Sequence, residues 1–146
     1  MSTEKNKGAT LEVPYFDNYC FVCGKDNPQG LKIQVRYADG ELAAETELSL
    51  PREYQGWVDV IHGGLLATLL DELMAHAVWH FAGPGLTLGM EVRFYSPLKP
   101  DEPIKVRGVL NTLNGKRRQA TGEITCTADG RRIATGTSRF LLLKQE

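Results

Sequence analysis

One long apolar segment, residues 62–81, constrains the fold of this chain more than any other part of the sequence. The segment has no proline and no glycine after Gly64, and it is rich in leucine and alanine, which favour helix. At about 100° per residue, its apolar side chains form one broad face, made up of Leu66, Leu69, Leu70, Leu73, Ala77 and Phe81. The remaining polar strip is narrow and consists of Thr68, Glu72 and His76. Because a helix this apolar needs cover on most sides, we predict a central helix that ends at Gly83-Pro84-Gly85.

Strand patterns and turn sequences occupy most of the remaining chain. Before the helix, Leu31 to Tyr37 alternates apolar and polar residues, and Asp39-Gly40 predicts a hairpin turn into a strand from Glu41 to Leu48. After the helix, a loop from Pro97 to Asp101 and turns at Asn114-Gly115 and Asp129-Gly130 separate four predicted strands, which are Leu86–Ser96, Pro103–Leu113, Lys116–Ala128 and Arg131–Lys144. In the first of these, alternation places Met90, Val92 and Phe94 on one face. The pattern predicts an α+β hotdog fold, one long central helix wrapped by a curved antiparallel sheet of about six strands.

Length and charge exclude several classes of protein. The 146 residues fit one domain, and we predict a flexible N-terminus at residues 1–14 and a single domain at residues 15–146. Lys and Arg number 17 against 18 Asp and Glu, a net charge of −1 that argues against nucleic-acid wrapping. No stretch approaches the roughly 20 apolar residues that span a bilayer, and the polar start lacks the apolar core of a signal peptide. Three cysteines do not make a disulfide framework. We therefore expect a cytoplasmic protein that binds neither nucleic acid nor membrane.

The tripeptide His62-Gly63-Gly64, at the predicted start of the helix, is the first candidate site. Backbone N–H groups are unpaired at a helix N-terminus, where the dipole is positive. Glycines let a ligand oxygen approach these groups closely. Such donors would stabilise the negative charge that develops on a reacting carbonyl oxygen. The alternative is a glycine loop that only turns the chain into the helix.

Asp71 is the second candidate, because aspartate is a poor helix former and is almost never buried unpaired. Small side chains flank it one turn away in both directions, at Ala67 and Ala75. The alternative is a solvent-facing charge beside Glu72, which we interpret as a surface residue. Asp71 follows His62 by nine residues, about two and a half turns, and so points roughly opposite to the helix start. Two subunits related by a two-fold axis would bring both groups to one substrate.

Two motifs of this chain resemble those of hotdog-fold acyl-CoA thioesterases. The first is Val60 to Asp71 (VIHGGLLATLLD), and the second is Cys20 to Gly24 (CFVCG) followed by Asn27 to Leu31 (NPQGL). The resemblance covers roughly residues 15–144, including the order of the elements. Its nearest branch contains phenylacetyl-CoA-type and mammalian mitochondrial long-chain acyl-CoA thioesterases. The helix motif is specific for the fold and the branch, and not for a substrate.

The resemblance implies hydrolysis of acyl-CoA to free acid and CoA, as in fatty acid metabolism. By this resemblance, Asp71 matches the general base or nucleophile, and Gly63 matches the glycine whose N–H polarises the thioester carbonyl from the partner subunit. His62 and Gly64 shape that turn, and Thr87 matches a residue that helps to position the attacking water. The family also implies a homodimer, commonly paired into a tetramer. CoA enters only as part of the substrate, and no cofactor is expected.

Several further side chains are candidates for substrate binding. Lys116, Arg117 and Arg118 follow a hairpin turn and are suited to CoA phosphates, the alternative being a solvated hairpin tip. Arg93 and Tyr95 alternate away from the apolar strand face and are weaker candidates for a CoA channel. We expect the acyl chain along the apolar helix and under Trp57. Some relatives carry Asn or Gln several residues before the histidine, and Gln55 is the nearest amide here.

The sequence alone gives little support for a metal site. Cys20 and Cys23 have the spacing of half a zinc knuckle, but a structural site needs four ligands and Cys126 is not a convincing third. His76 and His80 have the i, i+4 spacing but lack the intervening glutamate of a zinc helix motif, so we interpret them as helix-surface residues. We therefore expect no metal.

Two other functions stay open at this point. One is a non-catalytic hotdog module that binds or senses acyl-CoA. The carboxylate of Asp71, placed among small residues on an apolar helix, argues against such a module. The other is an acyl-thioester dehydratase or hydratase, which would need a histidine and an acidic residue in a hydratase-type motif that is not found around His62.

Overall fold

The computed structural model describes residues 16–143, which form one helix packed on a six-stranded sheet. Helix α1 spans Gly63–Phe81, and the strands are β1 Arg36–Ala38, β2 Ala43–Leu48, β3 Gly85–Phe94, β4 Ile104–Leu110, β5 Arg117–Cys126 and β6 Arg132–Leu142. The strand order is β1-β2-β4-β5-β6-β3, and every neighbouring pair is antiparallel. The predicted hotdog fold is therefore confirmed. The predicted flexible segment at residues 1–14 lies outside the described residues.

The apolar face of α1 forms the core, as its periodicity predicts. The fully buried helix side chains are Leu66, Leu69, Leu70, Leu73, Met74, Ala77 and Val78, while Phe81 is only half-buried. Paired glycines of three adjacent strands, Gly108, Gly122 and Gly136, lie beneath the middle of the helix. A Cβ on Gly108 would lie 2.4 Å from the backbone carbonyl of Leu73, so the helix rests directly on the bare backbone of β4. No helix of the described residues has the length and apolar character required to cross a membrane.

The first predicted strand, Leu31–Tyr37, is wrong over most of its length. The strand β1 begins only at Arg36, because the preceding residues pair with the segment that contains the cysteines. The N–H of Leu31 donates to the Phe21 carbonyl at 2.8 Å, and the N–H of Ile33 donates to the Val22 carbonyl at 3.1 Å. This pairing fastens the cysteine segment to the domain.

The other predicted strands are found with smaller shifts at their ends. A 3-10 turn at Asp39–Glu41 delays β2 until Ala43. The strands β3, β4 and β5 end two or three residues before the predicted limits Ser96, Leu113 and Ala128. Lys144, the predicted end of the last strand, lies outside the described residues.

Strand β3 forms one edge of the sheet and contains a bulge that sets its orientation. Its pairing with β6 shifts between Thr87 and Gly89, so Leu88 is an extra residue. Met90 pairs with the fully buried Ser138, which confirms that the even-numbered side chains from residue 90 onward face the helix. Thr87 pairs with the fully buried Phe140 and so also faces the helix. Without the extra residue, strict alternation would have turned Thr87 to the outer face.

Candidate active site

The start of α1 presents one free backbone donor. His62 caps the helix, and its Nδ1 accepts a hydrogen bond from the N–H of Gly64 at 2.8 Å. The N–H of Leu65 donates to the His62 carbonyl at 3.0 Å. The N–H of Gly63 has no acceptor among residues 16–143. It is therefore the group available to a ligand oxygen at the positive end of the helix.

The glycines around this donor differ in how much room a side chain would have at each position. A Cβ on Gly64 would lie 3.0 Å from Nδ1 of His62, and one on Gly56 would lie 3.3 Å from the Cδ2 of the same ring. These two glycines therefore make room for the histidine cap. A Cβ on Gly63 would meet only the ring of Phe94, at 3.4 Å, which is an ordinary contact distance. The Phe94 ring thus lies beside Gly63 at the start of the helix.

Asp71 and Thr87, which the resemblance assigns to the site, come together in the structure. The Thr87 hydroxyl donates to Oδ1 of Asp71 at 3.2 Å, and the carboxylate is half-buried beside the helix. Burial raises the pKa of Asp71, the Thr87 hydrogen bond opposes this, and the charge of Glu72 raises it further. The net pKa lies above the ordinary value of an aspartate. A carboxylate with a raised pKa is a stronger base once it is ionised.

Glu72 and His76 are half-buried, so their interpretation as surface residues is wrong. The segment that contains Cys20 and Cys23 covers this side of the helix, and Sγ of Cys20 lies 4.0 Å from Oε2 of Glu72. The same oxygen is 3.0 Å from Nε2 of His76. Burial works to raise the pKa of Glu72, but the hydrogen bonds from His76 and Cys23 hold it below its ordinary value. His80 is exposed, as predicted, and stacks on Tyr37 at 3.8 Å between ring centroids.

The free donor and the carboxylate lie at different positions along α1. Gly63 and Asp71 are eight residues apart, which is about 12 Å along the helix axis. An open cleft of about 610 Å³ lies at the Gly63 end and is lined by Gln55, Gly56, Trp57, Val60, Ile61, His62 and Gly63. The Trp57 side chain is 85% exposed there. The separation is too large for a single carbonyl group to contact both Gly63 and Asp71 of one chain.

The candidate substrate-binding residues occupy several surfaces. Arg93 and Tyr95 lie on the outer face of the sheet, away from the helix. The Cζ atom of Arg132 stacks over the Tyr95 ring, 4.2 Å from its centroid. Lys116 and Arg117 are exposed. Arg118 instead donates to the carbonyls of its own hairpin, from Nε to Gly115 at 2.7 Å and from Nη1 to Thr112 at 2.9 Å.

The basic hairpin adjoins the Asp71 end of the helix rather than the Gly63 end. Arg118 pairs with Phe140 of β6, and Phe140 in turn pairs with Thr87 of β3. The three residues form one row across the sheet, and Thr87 contacts Asp71. Lys116 and Arg117 therefore belong to the hairpin on the Asp71 side of the sheet, two strands away from Thr87, whereas Trp57 lies near the free N–H.

Together the fold and this arrangement define a hotdog domain with a backbone donor at the start of its helix and a carboxylate in its middle. A profile of the thioesterase superfamily matches residues 59–134, just over half of the chain. The chain belongs to this superfamily, and the resemblance inferred from its motifs is confirmed.

Comparisons with individual proteins agree with this family. Acyl-coenzyme A thioesterase 13 of Homo sapiens is 33% identical over 93 residues, which cover 62% of this chain and 66% of that protein. The match thus spans slightly less than two thirds of the relative. A crystal structure of a thioesterase superfamily protein superposes with a TM-score of 0.80 at 23% identity, covering 94% of this chain and 70% of the other. A mutant of the phenylacetic acid degradation protein PaaI from Thermus thermophilus gives a TM-score of 0.69 at 21% identity, covering 76% and 93%.

Proposed function

We propose that this protein hydrolyses acyl-CoA thioesters to a free acid and CoA, with Asp71 as the general base. The observation that carries the proposal is the half-buried Asp71 carboxylate, which is bonded to the Thr87 hydroxyl. Asp71 forms no ion pair with any basic side chain of residues 16–143, so it is not neutralised as a structural aspartate would be. The relatives named as acyl-CoA thioesterases support the choice of substrate class.

The reaction needs one water molecule and three groups of the protein. Asp71 takes a proton from water as the water oxygen bonds to the thioester carbonyl carbon. The Thr87 hydroxyl, bonded to Oδ1, leaves Oδ2 free to accept that proton and helps to fix the carboxylate. The N–H of Gly63 stabilises the negative charge on the former carbonyl oxygen. The tetrahedral intermediate then expels the CoA thiolate, which takes the proton held by Asp71 and leaves as the thiol, so that the acid forms and the base is restored.

A second copy of the chain completes the site in this proposal. Strand β3 is a ten-residue edge strand with large exposed apolar side chains, which are Leu88, Met90 and Phe94. A long apolar edge of this kind requires cover. Pairing of β3 with its two-fold copy would extend the sheet and run the two helices in opposite directions. This arrangement brings Gly63 of one protomer towards Asp71 of the other. We further propose that two such dimers associate into a tetramer.

The same arrangement assigns the two parts of the substrate. The exposed Lys116 and Arg117 lie at the Asp71 end of one protomer, and their charges suit the phosphates of CoA. Trp57 lies at the Gly63 end of the other protomer, where its exposed indole is available to an acyl chain that runs along the apolar helix. Each composite site thus takes its base from one chain and its backbone donor from the other.

Thiol release from a panel of acyl-CoAs, followed with a thiol reagent, tests the proposal. Asp71→Asn is expected to lower kcat by about 10²–10⁴-fold, the usual loss for a general base. Asp101→Asn is the matched control, because it removes an exposed carboxylate in the β3–β4 loop and leaves the backbone conformation accessible to asparagine. Equal rates for the wild type and Asp71→Asn would refute the role of Asp71. Tight binding of acyl-CoA without thiol release by the wild type would identify a binding module instead.

Mixed dimers test the two-chain site separately. A chain with Gly63→Pro lacks the N–H, and a chain with Asp71→Asn lacks the base. Each mixed dimer of the two would contain one complete site, so random mixing restores about a quarter of the wild-type activity if the site spans two chains. If both groups act within one chain, the mixture is as inactive as the two parents, and the composite site is refuted.

A further inference from the structure

Cys20, Cys23 and Glu72 form a cluster that the proposed hydrolysis does not use. Among residues 16–143, their two Sγ atoms and a carboxylate oxygen all lie within 4.8 Å of one another. Cys20 and Cys23 belong to the segment before β1, whereas Glu72 belongs to the middle of α1. All three side chains are half-buried. The fold thus supplies the third side chain that the spacing of the cysteines alone does not reveal.

The backbone around the cysteines forms a tight turn. A Cβ on Gly24 would lie 2.4 Å from the backbone nitrogen of Cys20, so only glycine fits this position. The N–H of Gly24 donates to the Cys20 carbonyl at 2.8 Å. The N–H of Val22 points at Sγ of Cys20 from 3.4 Å. This contact fixes the position of the Cys20 sulfur, which lies 4.0 Å from Oε2 of Glu72.

A chain of hydrogen bonds orients the carboxylate towards the two sulfurs. The Nε2 atom of His76 lies 3.0 Å from Oε2 of Glu72, and the Tyr37 hydroxyl lies 2.8 Å from Nδ1 of the same ring. Carboxylate ligands of metals are themselves held by such hydrogen bonds. Tyr37 belongs to β1, so the chain joins the sheet edge, the helix and the cysteine segment.

From this geometry we infer that Cys20, Cys23 and Glu72 bind a zinc ion. Two thiolates and one carboxylate match zinc in both ligand type and charge, and a water molecule fills the fourth tetrahedral position. In a tetrahedral zinc site, sulfur and oxygen ligands are about 3.5 Å apart. The observed 4.0 Å between Sγ of Cys20 and Oε2 of Glu72 needs only a small contraction. Binding releases the two thiol protons and ties the cysteine segment to α1.

Metal content and cobalt spectroscopy test the inference on the full chain. Protein purified without chelator is analysed for zinc by mass spectrometry, then stripped and titrated with Co²⁺. About one metal ion per chain and a thiolate-to-cobalt absorption band are expected. Cys23→Ser and Glu72→Gln should lose or strongly weaken binding. Cys126→Ser is the matched control, because Cys126 is a buried cysteine in β5 and should leave binding unchanged.

A milder variant separates ligation from folding. His76→Ala keeps all three ligands and removes only the group that orients Glu72, so it should weaken metal affinity about 10–100-fold and keep the cobalt band. The inference is overturned if wild-type protein gives no thiolate–cobalt band, or if Cys126→Ser and Cys23→Ser behave alike. A disulfide between Cys20 and Cys23 in freshly purified protein, with no bound metal, would also overturn it.

Discussion

Replacement of Gly63 by proline isolates the contribution of a single backbone N–H. Gly63 is the first residue of α1, where proline is well tolerated and where its N–H forms no helical hydrogen bond. The preceding residue, His62, has φ −59° and ψ 129°, a conformation that residues before proline favour. The substitution therefore removes the donor with little change in the helix. Gly63→Ala is the matched control, because it adds the same Cβ beside Phe94 and keeps the N–H.

The expected loss follows from the bonding at the helix start. The N–H of Gly64 is used by His62, and the N–H of Leu65 is used by the His62 carbonyl, so neither can replace the missing donor. Loss of one oxyanion donor costs about 10²–10³-fold in kcat, or about 2.7–4 kcal/mol. We therefore expect Gly63→Pro to be at least about a hundredfold slower than Gly63→Ala in thiol release.

Two results would refute this reasoning. Wild-type kcat values in both Gly63→Pro and Gly63→Ala would show that the N–H does not stabilise the transition state. An equal loss in both variants, relative to wild type, would assign the effect to packing of the new Cβ against Phe94. Thermal unfolding checks the fold, because removal of glycine at a compatible position should leave both variants at least as stable as the wild type.

Three further predictions concern the scaffold. Gly108→Ala should destabilise the fold by about 1–3 kcal/mol or more, because the new Cβ meets the helix backbone, whereas Gly40→Ala should be nearly neutral in chemical denaturation. The double variant Leu88→Lys, Met90→Lys should raise the dissociation constant of self-association at least about tenfold in analytical ultracentrifugation and lower the rate of thiol release in parallel. Unchanged assembly would contradict pairing through β3. Burial works to raise the pKa of Glu45, but Arg107 and Lys105 hold it below its ordinary value. The stabilisation from Glu45 should therefore be present above the unfolded pKa of about 4.3 and be lost as pH falls below it. Acid unfolding should show the stability gap between wild type and Glu45→Gln closing at low pH.

The fold was predictable because its strongest signals are local. The apolar segment before Gly83, the hairpin turns and the alternating strands each follow from short-range chemistry, and the structure has one helix and six strands in the predicted order. The predicted strand from Leu31 failed because alternation does not specify a partner. Leu31 and Ile33 pair with the cysteine segment, and only Arg36 and Tyr37 pair with a strand of the sheet. Such a choice depends on contacts that the sequence pattern does not contain.

The site was predictable only in part, for a related reason. The donor at Gly63 follows from the rules of helix ends, and the proposal of a two-chain site follows from the spacing between the helix start and Asp71. The contact between Thr87 and Asp71 does not follow from alternation, because the bulge at Leu88 reverses the orientation of the strand before it. The half-buried state of Glu72 was also missed, because helical periodicity places it on the polar strip without showing what covers that strip.

Asp71 and Glu72 show how one turn of a helix can serve two purposes. Adjacent helical residues point about 100° apart, so Asp71 faces β3 and Thr87 while Glu72 faces the cysteine segment. The first carboxylate keeps space beside it because its neighbours one turn away are alanines. The second is enclosed by thiols and an imidazole, which are the partners that a bound cation would organise. The charge of Glu72 also raises the pKa of Asp71, so the two neighbouring carboxylates influence each other directly.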